Sequence, residues 1–178
     1  MVAESLSRRR VVRFASTGAC MRWLIPPGAD VAVQGCSADD IRLGNIVLLR
    51  DVHEKAHKFV AHRLVGFSNS GGRRRPMTKG DARLEADGTL EELRIVGRVV
   101  GVFRDGRFHR LDIAVWRPVG ATIALLSRQC RPDRVGRGLR SFARRGFNGL
   151  IFRGIRVFSA IGLALSVRRV PAAWGGRP

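Results

Sequence analysis

Between Val11 and Asp112 every apolar stretch is short, and each is cut off by Gly, Pro or an Asp-Gly pair. That punctuation leaves no room for a long helix and predicts short strands joined by turns. VVRFA (11–15) reads as a strand, STGACMRWLIPPG (16–28) as a small-residue turn, an apolar patch and a Pro-Pro-Gly stop, and DVAVQG (30–35) as an alternating strand. CSADDIRLGN (36–45) is a turn region, while IVLLRDV (46–52) and KFVAHRLVGF (58–67) form the arms of a hairpin. SNSGGRRRP (68–76) reads as a loop, and MTKGDARLEADGTLEE (77–92) as polar and turn-rich. RIVGRVVGVFRDGRFHRLD (94–112) predicts two strands across Asp105-Gly106, a dipeptide suited to a tight hairpin turn. The expected fold class is mainly β, built of short antiparallel strands.

After Trp116-Arg117-Pro118 the periodicity changes. ATIALLSRQC (121–130) and the long stretch from Val135 to Val170 predict helices with Arg along one face. Glycines 136, 138, 146, 149, 154 and 162 weaken that expectation, because each costs about 1 kcal/mol in a helix interior. Charge divides the chain at the same place. Residues 118–178 carry 12 Arg and a single acid, Asp133, out of a total net charge of +19. The expected organisation is a flexible basic arm (1–10), a β domain (11–117) and an Arg-rich amphipathic tail (118–178). A field of that sign favours anionic phospholipid over most partners. Nucleic acid ranks lower, since no basic strand is interleaved with aromatics. Phe147 to Val167 is long enough to span a bilayer. Arg153 and Arg156 fall inside it, at roughly 2.5–3.5 kcal/mol each near the bilayer centre, so two readings stand instead of a span: a helix lying on the membrane surface, or a solvated basic helical pair packed on the β domain.

The three cysteines, Cys20, Cys36 and Cys130, lack the even number and close spacing of a disulfide framework, which predicts a reducing compartment. MVAESLSRRRVVRFASTG is broken by Arg8, Arg9, Arg10 and Arg13, so no export signal is expected there and the β domain is placed in the cytoplasm, peripheral to the membrane face.

Three of the four histidines lie in DVHEKAHKFVAHRLVG (51–66). His53, Glu54 and His57 spell H-E-x-x-H, which binds zinc only when both histidines sit one turn apart on a helix. Here the pattern falls in a polar stretch between two strand-like runs, and His109 is the only further ligand candidate. A solvated turn is the expectation, with no metal and no cofactor.

His62-Arg63 belongs to a different constellation. In order along the chain stand TGACMRWLIPPGADVAV, IRLGNIVLLRD, FVAHRLVG, and MTKGDARLEADGTL followed by IVGRVVGVF. This order resembles the signal peptidase I-like serine peptidases, a group that includes the LexA-type self-cleaving repressors, and is nearest to the type that uses His beside Arg. The match runs from about Thr17 to Val102. Departures from the pattern are Cys20 for the nucleophilic Ser, Trp23 for a Pro, Ala29 between Gly28 and Asp30, and Asn45 after Gly44.

The resemblance implies a peptidase with Cys20 as nucleophile and His62 as general base, and with Asp81 or Asp87 orienting the imidazole. It further implies substrate contacts at Met21, Arg63, Lys79 and Gly80, and an extended peptide or leader segment as substrate. The chemistry is sound in its own right. A thiol attacks as thiolate and an imidazole can take its proton, while a carboxylate on the other ring nitrogen sets the tautomer. The competing expectation is an inactive relative that binds extended peptide, with the basic tail gripping membrane or nucleic acid.

Overall fold

The computed structural model describes residues 10–51, 59–70, 72–87, 93–130 and 139–168. The strands are β1 (Val11–Ala15), β2 (Asp30–Gln34), β3 (Ile46–Asp51), β4 (Phe59–Ser70), β5 (Arg73–Lys79), β6 (Leu93–Arg104), β7 (Arg107–Arg110) and β8 (Val167–Arg168). Two helices, α1 (Trp116–Gln129) and α2 (Leu139–Ser166), lie between β7 and β8. Every strand pair is antiparallel. The sheet runs β1-β2-β6-β3-β4-β5, with β7 added to β6 and β8 to β7.

The period of two along each strand explains how the sheet is covered on both faces. Ile46 and Leu48 join the main core with Val31 and Val33, whereas Val47 and Leu49 point the other way, onto Ile41 and Leu64. A strand buried on both sides needs a continuous apolar run, which is what IVLL supplies. The Asp105-Gly106 turn is as expected: Asp105 (φ 50°) and Gly106 (φ 70°) both take the left-handed backbone that joins β6 to β7.

One expectation is corrected. SNSGGRRRP is not a loop: β4 runs on to Ser70 and β5 begins at Arg73, with Ser70 paired to Arg73 and Ser68 to Arg75. Its arginines hide the strand because β5 is an edge of the sheet and has water on one side. Pro76 fits the same edge position, and Arg74 lies 3.6 Å over the Phe67 ring. Helix α1 starts at Trp116, and Pro118 falls in its first turn, where a missing N–H costs nothing. Trp116, Ile123 and Cys130, with Ile151, Ile155 and Leu163 of α2, belong to the same core as Met21, Leu24 and Val99. Side chains of both helices therefore share the core of the sheet.

The H-E-x-x-H pattern at 53–57 lies outside the described residues. β3 and β4, on either side of it, are paired through Arg50 and Phe59. Among the described residues, no group of three or more His, Cys, Asp or Glu side chains could hold a metal ion. His109 is buried, with Nδ1 2.9 Å from the carbonyl oxygen of Leu163.

Candidate active site

The turn between β1 and β2 is anchored from below. Met21, Leu24 and Ile25 are buried, and helical-type bonds from Leu24 and Ile25 N–H to the Met21 carbonyl (3.0 and 2.7 Å) fix its shape. Cys20 sits at the rim of this turn with its thiol partly exposed. The chain after β5 braces it: Ala82 N–H donates to the Cys20 carbonyl at 2.8 Å, and Asp81 N–H to the Met21 sulfur at 3.2 Å. Gly80 allows this closeness, because a Cβ there would come within 2.9 Å of Cys20 Cβ.

His62 arrives from β4, paired with Val47 of β3. Its Nδ1 lies 2.6 Å from Asp87 Oδ2. The same oxygen accepts from the Thr78 hydroxyl at 2.5 Å, and Asp87 N–H returns a bond to the Thr78 carbonyl at 2.8 Å. Since an ionised carboxylate only accepts, this assigns the proton to Nδ1 and leaves Nε2 as the working nitrogen. Nε2 is buried and has no hydrogen-bond partner among the described residues. Burial pulls the imidazole pKa down. The Asp87 hydrogen bond and charge, with the nearby Cys20 sulfur, outweigh it and raise the value to about 9. Cys20 Sγ thus contributes to raising the ring's pKa, and its own polar contact is the Ala61 carbonyl at 4.0 Å.

Cys20, Met21 and His62 line one cleft of about 730 Å³. Phe14 and Phe59, with ring centroids 5.7 Å apart, form part of its wall. Two strand edges border it. β1 pairs only with β2. β5 pairs with β4 from Arg63 onward, which leaves the opposite edge of Phe59–His62 without a described strand partner.

The other expected site residues lie elsewhere. Asp81 is not behind the imidazole. Both its oxygens are taken by Arg63, Nε at 2.8 Å and Nη2 at 2.7 Å, and Arg63 Nη1 reaches the Gly44 carbonyl at 2.8 Å. His62 and Arg63, being neighbours on one strand, point to opposite faces of the sheet. Arg63 and Lys79 are 1% and 2% exposed and do not line the cleft, and Gly80 is buried as the brace under Cys20. None of the three is placed for direct substrate contact. Lys79 Nζ instead donates to the Ser127 carbonyl at the end of α1, at 2.6 Å. Burial lowers its pKa, against the raising pull of Cys130 and Asp81. Cys130 is buried, and that pushes its thiol pKa up, opposed by Lys79. Thr78, which fixes Asp87, escaped the sequence reading; its place one residue before Lys79, on the face shared with His62, was the available signal.

Comparison with known proteins finds no matching family model, no matching curated protein and no matching solved structure.

Proposed function

We propose that this chain is a peptidase of the signal peptidase-like type, using Cys20, His62 and Asp87. The observation that carries the proposal is the shared cleft: Cys20 and His62 both line it, with a carboxylate behind the imidazole ring. The raised His62 pKa makes the imidazole a strong acceptor for the Cys20 thiol proton. The sulfur attacks the substrate carbonyl carbon, and the backbone N–H of Cys20 stabilises the oxyanion. His62 Nε2–H gives its proton to the departing amine as the C–N bond breaks. Water, losing a proton to His62, then hydrolyses the thioester and frees Cys20. Substrate enters extended, as an added strand along the edges of β1 and of Phe59–His62.

Asp87 orients the imidazole, and Asp81 serves the fold by neutralising Arg63. The sulfur's contact with the Ala61 carbonyl rather than with Nε2 favours a second reading, an inactive protein that binds extended peptide in the same cleft. Alkylation by iodoacetamide near neutral pH separates the two. A peptidase requires Cys20 to react at least about tenfold faster than Cys36 or Cys130 and to lose that excess in His62→Ala. Equal rates at the three thiols, or an excess that survives His62→Ala, would sink the enzymatic proposal.

A further inference from the structure

Helix α2 presents three faces. Ile151, Ile155, Ser159 and Leu163 are buried against the rest of the protein. Phe147, Leu150, Val157, Ile161 and Leu165, spaced three, seven, four and four residues apart, fall on a second stripe and are 45–65% exposed. They are five of the eight exposed large apolar side chains among the described residues. The third face carries Arg145, Arg153 and Arg156, all exposed. Arg153 and Arg156 line a groove with Arg22 and Arg104, across which Val157 joins the basic face to the apolar one. The one acid lining that groove, Asp105, is engaged by Arg104 at 3.2 Å.

We propose that α2 seats the protein in the plane of an anionic phospholipid membrane. The Phe147–Leu165 stripe enters the acyl boundary, and the arginine groove takes lipid phosphates. Charge complementarity decides the occupant. An apolar partner surface would leave Arg153 and Arg156 unmatched at its border, whereas a headgroup layer places phosphate at the depth where the stripe ends. The segment Arg145–Ser166 is long and apolar enough to cross a bilayer. Crossing would tear Ile155 and Leu163 from the core and break the His109–Leu163 contact, so the helix lies flat. Arg22 lines both this groove and the cleft of Cys20, which sets the cleft beside the membrane surface. The seating stands independently of any reaction in the cleft.

The test is flotation of the full-length chain with phosphatidylcholine vesicles, with and without phosphatidylglycerol. Binding is expected only with the anionic lipid, and release is expected in alkaline carbonate. Leu150→Gln/Ile161→Gln and Arg153→Gln/Arg156→Gln should each weaken binding about tenfold or more, with helix content unchanged by circular dichroism. Arg42→Gln/Arg107→Gln, which removes the same charge elsewhere, should bind as the parent does. Binding that survives either α2 pair, an equal loss in the control pair, resistance to carbonate extraction, or a preference for a soluble polyanion over vesicles overturns the proposal.

Discussion

Two faces of one pair of strands carry nearly the same kit of residues to different ends. On one side of β4 and β5 stand His62, Thr78 and Asp87; on the other, Arg63, Lys79 and Asp81. Each side pairs a base with a carboxylate. On the cleft side one nitrogen, His62 Nε2, is left without a partner. On the helix side the charges close among themselves: Arg63 is held twice by Asp81, and Lys79 by a backbone carbonyl. The contrast teaches that a perturbed, buried ionisable group marks a working site only when a polar atom remains unsatisfied and an opening lies in front of it.

The largest expected effect belongs to the closed side. Arg63→Ala leaves the Asp81 carboxylate buried without its fork of donors and should cost about 3–5 kcal/mol of unfolding free energy in urea titration. A cost near zero would mean that the two faces are not different in kind.

On the open side, Asp87→Asn should slow Cys20 alkylation near neutral pH by about tenfold to a hundredfold. It should also drop the His62 titration, followed by imidazole NMR, well below its value of about 9. The sign for stability follows from a folded-state pKa above the ordinary 6.5. The pair's contribution is whole below about 6.5 and drains away as pH rises through about 9. Asp87→Asn should flatten that decline.

The smallest effect is the sharpest discriminator. Lys79→Met keeps the buried stem and removes the charge that burial penalises, so stability should change by no more than about 1 kcal/mol. Cys20 alkylation should not change at all, since no described contact joins Lys79 to the cleft.

Much of this was legible beforehand, for physical reasons that vary by element. β2, β3 and the β6–β7 hairpin show themselves because their side chains alternate between two filled cores and the Asp105-Gly106 turn has no other use. β5 does not, because an edge strand satisfies its backbone on one side only and can carry Arg74 and Arg75 without penalty. Cys20 and His62 could be named from their order along the chain, but their convergence needs the sheet. The choice between Asp81 and Asp87 was out of reach in sequence. Both sit in one polar stretch, and only the face on which β5 delivers the chain separates them. The joint core of sheet and helices was hidden as well, because a jump in Arg content at residue 118 looks like a boundary even where buried side chains ignore it.

Gly44 and Gly120 meet backbone to backbone: a Cβ on Gly44 would stand 2.2 Å from the carbonyl carbon of Gly120. That contact is the hinge pin of the whole assembly. It lowers α1 far enough for Ser127 to cap the lysine ammonium, and it holds the Gly44 carbonyl where the Arg63 guanidinium can use it. A chain ending at Arg117 would keep every side chain of the cleft and still lose the roof over two buried cations. The arginine-rich third of this molecule is thus structural masonry for a site in whose described hydrogen bonds it takes no part.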